Sequence, residues 1–84
     1  MPFGSEVDFI WVRGRRAAGI EVKARERWRP EYGRVLRDLH AAGVLSACYG
    51  VCLGDVALKD EPIRVLPLHA FLSELAAARV LGPG

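Results

Sequence analysis

Four charged side chains near the start of the chain have the spacing of residues that hold a metal ion. Glu6 and Asp8 lie two residues apart, and so do Glu21 and Lys23. On a β-strand, residues two apart point to the same face, so each pair would share a face. Two carboxylates that face each other across a strand pair repel unless a cation lies between them. We therefore predict a divalent-metal site beside a lysine.

The elements that must position these residues are two strands of one hairpin. Apolar runs within residues 6–12 and 17–24 predict the strands, and they are separated by a basic segment. Gly14-Arg15 suits a two-residue type II′ turn, in which glycine takes the first central position. This turn would make the two strands antiparallel neighbours.

The predicted turn also sets which residues face each other. In this register the numbers of facing residues sum to 29, so Asp8 faces Glu21 and Glu6 faces Lys23. Directly opposed residues have Cβ atoms roughly 4.5–5.5 Å apart. That separation is short enough for one cation to contact both carboxylates.

The rest of the chain predicts helices and strands in alternation. In order, we expect a helix over residues 31–42, a buried strand over 44–53, an edge strand over 56–58, a polar loop over 59–62, a strand over 63–66 and a last helix from Pro67 to Gly82. The nearly unbroken apolar run at 44–53 is typical of a strand buried on both faces beside a parallel neighbour. The expected class is α/β or α+β, with a mixed sheet of four to five strands in a single domain spanning residues 1–84.

Composition limits the classes of function. The chain has 84 residues and a net charge of +2, and residues 1–37 carry the positive excess. A basic region around a carboxylate cluster suits a polyanion bound through a metal, or else a solvated basic face. No apolar run reaches the roughly 20 residues of a membrane span. We expect a cytoplasmic protein in which Cys48 and Cys52 are buried core thiols.

The acid, the E-x-K element and the helix and buried strand that follow resemble the PD-(D/E)XK nuclease superfamily. The matching residues are Asp8 and Glu21-Val22-Lys23. The resemblance implies that Asp8, Glu21 and the backbone carbonyl of Val22 bind Mg²⁺, or Mn²⁺ in its place. It also implies that Lys23 orients or deprotonates the attacking water, with Glu6 as an auxiliary acid.

A second resemblance covers most of the chain. Glu6-Val7-Asp8-Phe9, Ile20–Ala24, the helix, the buried strand and Val65–Leu68 are similar to the uncharacterised C-terminal domain of predicted prokaryotic AAA-type ATPases. It implies an ATPase partner. The helix and strand that usually precede the acid in the nuclease core are not present before Glu6, so we expect a truncated domain whose exposed sheet edge pairs in a homodimer.

Basic and aromatic residues around these motifs are candidates for nucleic-acid contact. They are Arg13, Arg15, Arg16, Arg25, Trp28 and Arg29. Trp28 could stack on a base, or it could be a hydrophobic plug under the helix. The hairpin-tip arginines could bind phosphate or remain solvated, and His40 and His69 are expected on helix surfaces.

Two functions of different classes remain open from the sequence. The first is a Mg²⁺-dependent nuclease-like domain that acts on or binds DNA. The second is a catalytically inactive interaction or regulatory module, in which the four charges form ordinary surface ion pairs. A test of metal binding separates them, because the first requires that binding and the second does not.

Overall fold

A five-stranded mixed sheet with helices on its faces forms the molecule, as a computed structural model of residues 7–81 shows. The strands are β1 (Phe9–Arg13), β2 (Arg16–Val22), β3 (Ala47–Cys52), β4 (Leu58–Asp60) and β5 (Ile63–Pro67). The helices are α1 (Arg34–Ala41), preceded by a 3₁₀ turn at Pro30–Gly33, and α2 (Leu68–Ala76). The predicted class and the mixed sheet are confirmed.

The strand order is β1-β2-β3-β5-β4. β1 pairs with β2 and β4 with β5 in antiparallel fashion, while β2, β3 and β5 are parallel. The apolar β3 therefore lies at the centre between two parallel neighbours, as its composition predicts. The 3₁₀ turn and α1 form the crossover that parallel β2 and β3 require.

The hairpin has the predicted register. Phe9 faces Ile20 and Arg13 faces Arg16, so the numbers of facing residues sum to 29. Gly14 has a φ of +63°, and φ at Arg15 is not positive. A positive φ at the first central position alone is the signature of a type II′ turn. The pairing arithmetic derived from the sequence is confirmed along β1.

The ends of the elements differ from the sequence-based expectation. The first strand begins at Phe9, three residues later than predicted, because the chain bends at Asp8. The predicted first helix is a 3₁₀ turn that begins at Pro30 and ends at Gly33, followed directly by α1. Residues 59 and 60, expected in a loop, belong to β4, and α2 ends at Ala76, well before Gly82.

The two faces of the sheet carry separate cores. One core joins β2, β3 and β5 to α2 through Ile20, Tyr49, Val51 and Phe71, among others. The other joins the sheet to α1 and contains Leu36, Leu45, Cys48, Cys52, Ile63 and Val65. Leu36, Ile63 and Val65 are at most 1% exposed, so this second layer is tightly packed.

Both cysteines lie in the core on the α1 side, as predicted, and both are free. Burial raises the pKa of the Cys48 thiol above its ordinary value. The folded thiol therefore keeps its proton at a pH where the unfolded thiol ionises. The stability that this raised pKa contributes is fully present below the unfolded pKa of Cys48 and is lost as pH rises toward its folded pKa.

No helix among residues 7–81 has the length and apolar character needed to cross a membrane.

Candidate functional site

Asp8 lies just before β1 and contacts the end of β2, next to Glu21 and Lys23 in the sequence. The Asp8 carboxylate accepts a hydrogen bond at Oδ2 from the backbone N–H of Val22, at 2.8 Å. This N–H belongs to the peptide that joins Glu21 to Val22. The side chain of Asp8 thus takes the place of a strand carbonyl, and the β1–β2 ladder ends there. Asp8 is held against the E-x-K segment by its own side chain.

Glu21 is the second carboxylate. It is 8% exposed, and among residues 7–81 it is the only charged residue that is buried. It lies on the α1 face of the sheet, where its neighbour on β3 is Gly50. A buried carboxylate is costly unless a cation or hydrogen-bond donor compensates it. Lys23 Nζ supplies that compensation, 3.1 Å from Glu21 Oε2.

Lys23 also contacts an aromatic ring. Its Nζ lies 5.1 Å from the centroid of the Tyr32 ring, within the range of a cation–π contact. Tyr32 meets the Trp28 ring edge to face, with centroids 5.5 Å apart and planes at 82°. The lysine therefore contacts both a carboxylate and a ring that Trp28 supports.

Trp28 anchors this arrangement to the far edge of the sheet. Its Nε1 donates a hydrogen bond to Asp60 Oδ2 at 3.0 Å, and Arg37 Nη1 contacts the same oxygen at 3.0 Å. Trp28 is half-buried against β3, where Gly50 leaves room for its ring. This arrangement favours the hydrophobic plug of the two roles predicted for Trp28.

Gly50→Ala is expected to disturb both the fold and the site. A Cβ at Gly50 would lie 2.6 Å from two atoms of the Trp28 ring, so the indole would have to move and its bond to Asp60 would be strained. Overpacking of this kind costs about 1–3 kcal/mol. Urea unfolding followed by tryptophan fluorescence measures the loss. In a Trp28→Phe background the cost should fall, and an equal cost in both backgrounds would contradict the proposed clash.

The arginines predicted to contact nucleic acid lie at opposite ends of the hairpin. Arg25 and Arg29 are exposed on the segment that follows Lys23, close in sequence to the site. Arg13, Arg15 and Arg16 surround the hairpin turn at the opposite end of β1 and β2. Arg13 is five positions after Asp8, which corresponds to roughly 16 Å along a strand. The tip arginines of a chain therefore lie far from its own carboxylates. Glu6, the predicted auxiliary acid, lies outside the described residues.

The donor atoms near Asp8 are suited to Mg²⁺, which prefers hard oxygen ligands and needs few protein ligands because it retains water. Asp8 and Glu21 offer carboxylate oxygens. In an antiparallel ladder the N–H and C=O of a residue point to the same side, so the carbonyl of Val22 faces the Asp8 side together with its N–H. Within residues 7–81, no three His, Cys, Asp or Glu side chains come together as a metal-binding group. Two carboxylates and one carbonyl are therefore the candidate ligands.

Sequence reasoning missed three residues that support the site: Tyr32, Arg37 and Asp60. Tyr32 had one signal, its place among the apolar positions that repeat at helical spacing from residue 31 onward. Asp60 had none, because it reaches Trp28 from 32 positions away in the sequence.

A family model described as "Domain of unknown function (DUF4143)" matches residues 3–71, about four fifths of the chain. The chain belongs to the DUF4143 family. The match spans all the candidate site residues and the supporting Tyr32, Arg37 and Asp60 of this DUF4143 domain. No curated protein and no solved structure matches the chain.

Proposed function

We propose that this domain is a Mg²⁺-dependent nuclease-like domain that acts on or binds DNA. The observation that supports the proposal is the bond from the Val22 N–H to Asp8, which holds this carboxylate on the peptide between Glu21 and Val22, while Glu21 itself pairs with Lys23. Carboxylate, carboxylate and lysine are the three side chains that the resemblance to PD-(D/E)XK nucleases requires. A cytoplasmic location is part of the proposal, and free Cys48 and Cys52 suit a reducing compartment.

Each residue has a role in this proposal. Asp8, Glu21 and the Val22 carbonyl would hold the cation, which when bound polarises the phosphodiester and lowers the pKa of water. Lys23 would orient the attacking water or accept its proton, and its ammonium form would offset negative charge that develops on the phosphate. Arg25 and Arg29 are placed to bind neighbouring phosphates along the strand.

Metal binding is the first experimental test. Titration calorimetry with Mn²⁺ is expected to show one site per chain, and both Asp8→Asn and Glu21→Gln should weaken it by more than about tenfold, since affinity depends on the number of charged ligands. The matched control is Asp55→Asn, which alters an exposed acid in the loop after β3. Plasmid cleavage with Mg²⁺ should fall in the same two variants. Equal Mn²⁺ affinity in all four proteins would overturn the proposal.

An interaction module is the second candidate, and exposed apolar residues favour it. Phe9, Trp11, Leu68 and Leu72 are each more than 40% exposed and line one groove between β1 and α2. Such a patch commonly marks a protein interface. The partner implied by the sequence resemblance is an AAA-type ATPase. A folded protein that neither binds Mn²⁺ nor cleaves DNA would favour this candidate over the first.

A further inference from the structure

The outer edge of β1 has the properties of a strand that pairs with another strand. β1 ends the sheet on one side, and all five of its residues are exposed. Phe9, Ile10, Trp11 and Val12 are 62%, 52%, 44% and 67% exposed. Edge strands of isolated proteins are normally protected by charges, proline, a bulge or short length. From Phe9 to Val12, β1 has no charged residue and no proline.

The other edge of the sheet differs in each respect. β4 has three residues, and two of them, Lys59 and Asp60, are charged. Asp60 also bonds to Trp28 and Arg37, which ties the strand to the body of the domain. The contrast between two edges of one sheet indicates that β1 is the edge built for pairing.

The hairpin register identifies the backbone groups of β1 that are available. In a two-residue hairpin the residues that flank the turn form a hydrogen-bonded pair, and such pairs alternate along the ladder. Arg13, Trp11 and Phe9 therefore direct their N–H and C=O groups toward β2. Ile10 and Val12 direct theirs outward. The bond from the Val22 N–H to Asp8 agrees with this alternation, because residues 16, 18, 20 and 22 of β2 point toward β1.

We propose that β1 pairs antiparallel with β1 of a second copy of this chain, with the two Trp11 residues facing each other on a two-fold axis. In that register Ile10 of each copy forms a hydrogen-bonded pair with the partner's Val12, so every outward N–H and C=O of these residues is used. Facing residues then have numbers that sum to 22. A two-fold axis normal to the sheet does not exchange the two faces of the sheet, so facing residues must point to the same face. Because side chains alternate between the faces, the two residue numbers are both odd or both even, and their sum is even.

Charge complementarity favours a second copy over other occupants. Antiparallel pairing places the acidic start of one β1 beside the basic tip of the other hairpin, so Asp8 faces the partner's Gly14 between the partner's Arg13 and Arg15. Phe9 faces the partner's Arg13 on the same side of the sheet, a geometry suited to cation–π contact. Each contact occurs twice, as an isologous interface requires.

The area agrees with a dimer that depends on concentration. With about 150–250 Å² for a whole aromatic side chain and somewhat less for an aliphatic one, the exposed parts of residues 9–12 amount to roughly 400 Å² per copy. Two copies therefore bury at most about 800 Å² at these residues, which is below the roughly 1,000 Å² expected of a stable interface and agrees with a weak dimer.

The dimer has a consequence for the carboxylate site. Within one chain, the tip arginines lie at the far end of the hairpin from Asp8, but in the dimer the partner's tip arrives beside it. The partner's Arg13 and Arg15 would then supply cations near the bound phosphate. This consequence rests on the proposed nuclease function. The dimer itself does not, and the dimer is tested without any measurement of activity.

Multi-angle light scattering and sedimentation test the dimer from low-micromolar to near-millimolar concentration. We expect the mass to rise from 9.2 kDa toward twice that value with concentration. Val12→Pro removes an outward N–H and leaves the β1–β2 ladder intact, so it should give a folded monomer throughout. The matched control is Val56→Lys, because Val56 is a loop valine that is 72% exposed. This variant should dimerise as the parent does. A parent protein of monomer mass at every concentration, or a Val12→Pro variant that dimerises normally, overturns the proposal.

Disulfide trapping tests the register. Facing Trp11 residues form a non-hydrogen-bonded pair with Cα atoms about 4.5 Å apart, within reach of a disulfide. Trp11→Cys should therefore form a covalent dimer under mild oxidation. Val12→Cys should not, since its two copies would be roughly 8 Å apart, beyond the range of a disulfide. The native Cys48 and Cys52 are buried and do not compete. Equal trapping of both variants would overturn this register.

Discussion

Lys23→Ala is expected to lower the rate of DNA cleavage by about 10²–10³-fold, the usual effect of removing one group that stabilises the transition state. Lys23 Nζ contacts Glu21 and lies over the Tyr32 ring, so it is held beside the Glu21 carboxylate. Mn²⁺ affinity should persist, because the ammonium is not a ligand. Single-turnover cleavage together with Mn²⁺ calorimetry separates the two effects.

Two further variants make the Lys23 result specific. Lys23→Arg keeps the positive charge but cannot accept a proton, so partial activity would indicate an electrostatic role and none would indicate proton transfer. Lys59→Ala, which removes an exposed lysine of β4, should cleave as the parent does. The free energy of unfolding of Lys23→Ala should fall by about 1–3 kcal/mol, because the buried Glu21 carboxylate loses the ammonium that compensates it, so cleavage is compared under conditions in which both proteins are folded. Cleavage at the parental rate in Lys23→Ala would exclude Lys23 from the reaction.

Leu36→Ala is expected to produce a large loss of stability. Leu36 is 1% exposed in the core between α1 and the sheet, and two of its neighbours there are Leu45 and Val65. Truncating such a leucine costs about 2–5 kcal/mol. At roughly 0.05–0.15 kcal/mol per residue, a chain of this length has about 4–13 kcal/mol in total, so the loss is a large fraction of it.

Urea unfolding and thiol labelling measure the effect of Leu36→Ala. The Sγ of Cys48 lies 3.6 Å from the Leu36 carbonyl oxygen, so Cys48 should react faster with iodoacetamide once this core loosens. Leu72→Ala is the matched control, because Leu72 is 52% exposed on α2 and surface changes are usually within about 0.5 kcal/mol. Similar unfolding midpoints for the two variants would show that Leu36 packs less tightly than its burial indicates.

The pairing of β1 and β2 could be derived from sequence because its determinants are local. Gly14 fixes the turn, and the turn fixes the register over the whole hairpin. The buried central strand was equally visible, since the apolar run around β3 has few polar interruptions. These features depend on residues that are adjacent or nearly adjacent in the chain.

The parts that escaped prediction depend on long-range or competing interactions. β1 starts late because the Asp8 side chain competes for the Val22 N–H, and periodicity carries no information about such a bond. The charge of Asp60 predicts a solvent-exposed loop, whereas its carboxylate bonds to Trp28 from the far edge of the sheet. The arginines lie at both ends of the hairpin because each strand is long enough to separate them. Their short separation in the sequence does not indicate this distance.

The bond between Trp28 and Asp60 makes the order of folding relevant to the site. Its partners are 32 positions apart, so it forms only when β4 has joined β5 at the edge of the sheet. The hairpin can acquire its register early from local contacts, while the position of Lys23 depends on closure of this much longer loop. In refolding experiments, the Trp28 fluorescence change and the recovery of site geometry should therefore appear together, after the hairpin has formed. Formation of the candidate site would then indicate that the whole domain has folded.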